Sequence, residues 1–390
     1  MSGETGLKGF RKNLMSSWFF EFFGYGSIAV ASYLALYFER VGYTRFEIGV
    51  LMASSPLAVI LSAPLLGRLA DFVSSRSNLL FLMGILAAGF SWMLCANFGF
   101  TLDFLIAFAM FSFIMSSIPI GESAMLSSPL IGEHRFNKVR LMGTVGFAMI
   151  SLLTGYLVTH GFILLFFLLS LNAVVMALAG WRLPNARSEK IVVEESFIRT
   201  MLKNWNLRSF FVLSFFQMMT MGYHFSFFPI YANHVFHDER VLGYLILIQT
   251  LAEIPVLLTL PLLRRRFPMR VLGIMISLGF STRWFLTSFF FQGIAAFFIQ
   301  LLHGLGVVPL AFLSMMEINR TIPVQMASRS QTFYWSVLNS GQIIGSVVGG
   351  AVVQNTSLRT GYLLATLIST SALIMFIGLC RGKDKEKRVN

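Results

Sequence analysis

The chain has 390 residues, of which 56% are hydrophobic and 12% charged, and its 30 Lys and Arg outweigh 17 Asp and Glu for a net charge of +13. A charged share about half that of soluble domains excludes an ordinary soluble fold. Cys95 and Cys380 stand in separate apolar stretches, which excludes a disulfide framework and a zinc site.

A helix rises about 1.5 Å per residue, so about 20 apolar residues cross a hydrocarbon core about 30 Å thick. Twelve such stretches follow in chain order: Leu14–Phe38, Phe46–Ala70, Asn78–Ala96, Leu102–Ser127, Val139–Val158, Phe162–Trp181, Ser209–Ala232, Val241–Leu263, Val271–Phe291, Ile294–Met316, Ala327–Val353 and Gly361–Leu379. The expected fold class is an all-α integral membrane protein with twelve transmembrane helices. The first stretch exceeds a signal-peptide core and carries Glu21, so it reads as a retained span.

The basic excess would suggest nucleic acid in a soluble protein. Here 25 of the 30 Lys and Arg fall in the two tails, in the even-numbered loops or at the span ends that adjoin those loops. Four others, Arg40, Arg45, Arg240 and Arg359, lie in odd-numbered loops, and Arg283 sits inside a span. The positive-inside rule then puts both termini in the cytoplasm, with the chain multi-pass in the cell membrane. The bilayer is the expected partner of this charge, and nucleic acid is not.

Between Arg182 and Arg208 the apolar rhythm stops. Ser196–Asn206 is predicted as a short amphipathic helix on the membrane surface, with Phe197, Met201 and Trp205 at i, i+4 and i+8. The organisation is thus residues 1–181, a linker at 182–207, and residues 208–390 ending in a basic tail. The halves share features. Gly24-Tyr25 recurs as Gly222-Tyr223, APLLGR ending at Arg68 resembles LPLLRR ending at Arg265, and Glu122 corresponds to Glu317. Duplicated six-span halves with a site near the midplane are a known transporter plan.

This layout resembles the major facilitator superfamily over essentially the whole length. Gly67-Arg-Leu-Ala-Asp71 followed by Arg76 is similar to the superfamily's loop motif between spans two and three, with Phe72 in place of the usual Arg. Nearer similarity is to the lactose-permease-like proton symporters, and nearest to the 3-phenylpropionate permease group. It is carried by Phe22–Gly26, Asn137–Met149, Gly243–Ile254, Ser281–Phe285 and Gln300–Gly304. The resemblance implies two six-helix bundles that rock about a central site, and implies that Asp71 pairs with a basic residue or helix end to hold one conformation.

Ionisable groups inside a span cost at least about 2.5–3.5 kcal/mol on insertion scales, so they pair or face water. Residues on neighbouring antiparallel helices lie at equal depth when they are equidistant from the joining loop. Glu122 and Arg140 satisfy this about Ile131. The same acid–arginine separation contacts substrate in lactose-permease-like symporters, which implies that role here; a structural ion pair at the membrane edge has the same geometry. Glu253 and Arg283 are equidistant from Pro268, and Arg283 and His303 from Gly293. This trio is the candidate proton-coupling site, or else a permanent charge cluster locking three helices. The related symporters place a carboxylate one turn beyond the histidine, where this chain has Gly306, so Glu253 or Glu122 would take the proton, or the coupling is different. Glu21 lies at the depth of Glu122 and Arg140, and Glu317 lies at the rim beside Arg320.

Polar and aromatic residues mark a candidate substrate-binding wall. They are Tyr25, Gln217, Tyr223 and His224, then Gln249 one turn before Glu253, then Tyr334, Trp335, Asn339 and Gln342. Gly341, Gly345 and Gly349 read as a close-packing stripe. No nucleophile elbow, P-loop, dinucleotide fingerprint or metal-ligand spacing occurs. No cofactor or metal is expected. The expected function is proton-coupled uptake of a small organic solute by a monomer, with a phenylpropionate-like aromatic acid first. A proton-coupled exporter and a transporter-like sensor without turnover are the alternatives.

Overall fold

In hydrocarbon every backbone N–H and C=O must find a partner within its own segment, so apolar stretches of this length have only the helix available. The computed structural model describes residues 2–129, 131–184, 204–322 and 324–389. The helices are α1 (Ser2–Ala31), α2 (Leu34–Val41), α3 (Arg45–Phe72), α4 (Arg76–Cys95), α5 (Phe100–Leu126), α6 (Gly132–Val158), α7 (Ile163–Trp181), α8 (Trp205–Phe236), α9 (Glu239–Arg266), α10 (Met269–Phe290), α11 (Gly293–Leu301), α12 (Val307–Thr321), α13 (Val324–Gln354) and α14 (Leu358–Val389).

Each expected span has its helix, and most run past the apolar stretch because hydropathy marks only the membrane-filling part. Among the described residues, eleven helical segments are long and apolar enough to cross a membrane. The seventh, α8, is full length, but Ser214, Gln217, Thr220 and His224 dilute its apolar character. Two spans are broken. The first bends at Ser32–Tyr33 between α1 and α2, where the Tyr33 hydroxyl donates to the Ser151 carbonyl at 2.9 Å. The tenth consists of α11, a 3₁₀ turn at Leu302–Leu305, and α12. Discontinuous spans of this kind free backbone groups at depth.

The chain packs as two compact units. One comprises Met1–Tyr43, Ser54–Lys190 and His237–Leu247; the other comprises Thr44–Ala53, Ile191–Phe236 and Ile248–Asn390. In the first unit α1 lies against α6 and α7, and α4 against α5 and α7. Phe20, Leu80, Met83, Met125, Val139 and Met176 form part of its core. A side chain on Gly146 would run into the Phe22 backbone, so α1 and α6 meet main chain to main chain. In the second unit α8 lies against α13 and α14, and α10 against α14. Gly341 and Gly345 face the backbone of Phe215 and Met219, while Gly349 faces the Tyr223 ring. The glycine stripe is therefore a packing surface.

Of the predicted surface helix, Phe197 and Met201 lie outside the described residues. Trp205 opens α8, and the Arg208 guanidinium sits over its ring at 3.7 Å.

Candidate functional site

Three residues meet in the first unit. The near-contact of α1 and α6 at Gly146, and of α1 and α5 at Gly121 against Phe20, brings their polar side chains within reach. Arg140 Nε lies 3.3 Å from Glu122 Oε1. The Tyr25 hydroxyl donates to the same oxygen at 3.3 Å. The Arg140 guanidinium also sits over the Tyr25 ring, 3.9 Å from its centroid. The ion pair keeps 37% and 23% of its two side-chain surfaces accessible, so it escapes the full desolvation cost of a buried pair and can be opened by a competing anion. Arginine suits that exchange because its planar fork stacks on an aromatic face and grips a carboxylate with two N–H groups.

In the second unit His303 Nε2 lies 3.2 Å from Glu253 Oε1. A side chain on Gly304 would collide with the Ala252 backbone, so that glycine lets the 3₁₀ turn approach α9 closely. Arg283 makes no hydrogen bond to that pair, although it lies within electrostatic reach of both members. Equal distance from a loop fixes depth but leaves direction around the helix open. Arg283 Nη2 lies 3.0 Å from His224 Nε2 and donates to Gln300 Oε1 at 3.1 Å. Gln249 Nε2 donates to that same Gln300 oxygen at 2.8 Å. Arg283 can only donate, so His224 Nε2 must accept, and its proton resides on Nδ1 facing the Tyr362 hydroxyl at 3.1 Å. A fully buried guanidinium is thus held by neutral groups, with Trp284 beside it at 4.7 Å.

The remaining wall residues divide. Gln249 belongs to the network just described. Gln217 is wholly buried, and neither side-chain atom of its amide has a partner among the described residues. Tyr223 is buried with its hydroxyl spent on the Leu358 carbonyl at 2.6 Å, so it anchors α8 to α14 rather than presenting a hydroxyl to a ligand. Trp335 is exposed, and Asn339 Nδ2 donates to the Trp335 carbonyl one turn back. Their shared face is real, but half of the amide is used within the helix.

In the turn between α3 and α4, Arg76 Nη2 meets Asp71 Oδ1 at 2.7 Å, and its Nε donates to the Ala70 carbonyl. Gly67 has open space around its Cα. Glu317 is buried, accepts from Asn206 Nδ2 at 3.2 Å, and has Arg320 Nε at 3.9 Å.

Sequence reasoning passed over Gln300 and Tyr362 as site residues, and placed His224 only along a wall. One signal was present for Gln300. It precedes His303 by three residues, as Gln249 precedes Glu253 by four, so each shares a helix face with its ionisable neighbour.

Over 378 residues the chain is 24% identical to the maltose permease of Geobacillus stearothermophilus, covering 95% of each sequence. Among solved structures it is similar to the nucleoside transporter NupG, with a TM-score of 0.79 at 17% identity over 95% of this chain and 98% of that one. It is also similar to a bacterial homologue of the human lysosomal transporter Spinster, with a TM-score of 0.76 at 11% identity over 96% and 97% of the two chains. These likenesses show the fold. The model of the MFS_1 like family matches residues 13–364. The chain belongs to that family, within the major facilitator superfamily, and is a membrane transporter rather than an enzyme.

Proposed function

We propose that this transporter imports a small organic anion together with protons, by alternating access, and that an aromatic acid of the 3-phenylpropionate type is its substrate. The observation that carries the reading is the stack of Arg140 on Tyr25 beside Glu122. A guanidinium whose carboxylate partner is displaceable binds an anion, and the flanking ring suits an aromatic body. Glu253 and His303 supply a carboxylate–imidazole pair for the proton. Asp71 and Arg76 hold one conformation through their ion pair. The protein works as a monomer in the cytoplasmic membrane with both termini inside, as its basic loops favour.

The test is proton movement in deenergised, lightly buffered cells expressing the chain. Addition of 3-phenylpropionate should alkalinise the medium, and the signal should vanish in Glu253→Gln. The panel includes sugars and nucleosides, given the sequence likeness to a maltose permease and the fold likeness to a nucleoside transporter. Alkalinisation with a sugar or nucleoside alone would overturn the substrate assignment. Silence with every solute would overturn symport of these classes, and loading of everted vesicles under a proton gradient would then identify an exporter.

A further inference from the structure

Glu21 is a buried acid that the substrate and coupling groups leave unused. It lies on α1, is 1% exposed, and neither carboxylate oxygen has a hydrogen-bond partner among the described residues. An ionised carboxylate stripped of water and of donors is among the costliest groups a protein can bury. One that persists there is neutral, or has a cation to turn to.

The helices packed on α1 define what it meets. From α5 comes Glu122 and from α6 Arg140; Tyr25 stands one turn along its own helix, and α7 carries no ionisable side chain. Glu21 is within electrostatic reach of both Glu122 and Arg140. The group thus comprises two carboxyls and one guanidinium, and Arg140 is engaged by Glu122. Ionising both acids would leave the group net negative, with the Glu21 carboxylate shut away from water. One proton on the pair makes the group neutral.

We propose that Glu21 and Glu122 share a single proton around Arg140, and that the arginine decides which of them carries it. With Arg140 on Glu122, the O–H bond is on Glu21. When the guanidinium swings to Glu21, that O–H breaks, the proton forms a new O–H on Glu122, and net charge is unchanged. One consequence rests on the function proposed above. A substrate carboxylate that takes Arg140 leaves Glu122 uncompensated, so neutrality returns only when Glu122 binds a second proton. Anion and proton then enter in equal number.

Infrared spectra of the full-length protein in lipid nanodiscs test the sharing without any solute, through the C=O stretch of neutral carboxyls at neutral pH. Wild type should show the band. Glu21→Gln should lose it. Glu122→Gln should lose it too, because the freed Arg140 ionises Glu21. Arg140→Met should give about twice the wild-type area, since both acids then go neutral. A band untouched by Glu21→Gln overturns the assignment, and a band lost in Glu21→Gln but kept in Glu122→Gln overturns the sharing. Should Glu21→Gln fail to fold, Glu21→Asp should move the band rather than remove it, and an unmoved band has the same overturning force. Because no substrate is added, failure of solute-driven proton uptake leaves this result standing, and the reverse holds as well.

Discussion

Glu253 and His303 meet at 3.2 Å, yet Arg283, expected at the same depth, turns its guanidinium to His224 and Gln300 instead. Glu253 therefore has an imidazole as its hydrogen-bonding partner, with Arg283 near enough to act on it electrostatically. An acid paired with a group that can itself give up charge is suited to exchange a proton, whereas one locked to a permanent cation is not.

Replacing Glu253 by Gln should abolish solute-driven proton uptake and accumulation while preserving exchange of labelled for unlabelled solute. His303→Gln should weaken coupling less, because a neutral donor is retained. Loss of exchange in Glu253→Gln would assign the residue to substrate binding instead.

Arg140→Lys keeps the charge but loses the flat fork that rests on Tyr25 and reaches Glu122. Losing a charge-assisted hydrogen bond costs about 1.5–3 kcal/mol, or roughly 10- to 100-fold in affinity. The KM for the imported acid should rise by that factor, with Tyr25→Phe raising it less.

Arg283→Met should destabilise the protein because it leaves His224 Nε2 without a donor, at about 1–3 kcal/mol for the unsatisfied group, and takes from the Gln300 carbonyl one of its two donors. Gln300→Leu disturbs the same network, so the two losses should not add. A double-mutant cycle on thermal unfolding in detergent should return a coupling of roughly 0.5–3 kcal/mol. Strict additivity would show that the two side chains act independently.

Gly146→Leu should lower the midpoint of thermal unfolding sharply, since its side chain would enter the Phe22 backbone and overpacking costs about 1–3 kcal/mol or more. Gly89→Ala is the matched control. It meets nothing within 4 Å, so it should stabilise α4 by about 0.5–1 kcal/mol.

Outside the spans, hydrogen bonds from Arg240 hold the Asp238 carboxyl below its usual range. A group whose folded value is depressed adds stability above the unfolded value, about pH 4. That stability is lost as pH falls through the folded value. Asp238→Asn should therefore cost at most about 1 kcal/mol at neutral pH, as exposed pairs do. The gap from wild type should close under strong acid, and a gap that widens there would contradict the pairing.

Depth was legible in the sequence because helical rise is constant. Counting from the joining loops put Glu122 level with Arg140 and Glu253 level with His303, and both pairs are in contact. Azimuth was not legible in the same way, so the hydrogen-bonding partners of Arg283 did not show in the count. Those partners, His224 and Gln300, are uncharged or weakly charged and bear no cost signal of the kind that flags an arginine in a span. The bond from Tyr223 to the Leu358 carbonyl was not legible either, since a tyrosine bound to a backbone carbonyl and one facing a ligand look alike in sequence.

The glycines of α13 present almost no side-chain relief to α8. Interlocked knobs set two helices in fixed notches, and moving one past the other means rotating every intervening side chain. A smooth stripe has no notches, so the register of α13 on α8 is left to the side chains beside it, Tyr334 on Ser214 and Ser346 on Ser226. A methyl group on Gly345 would enter the Met219 carbonyl and wedge the two helices apart.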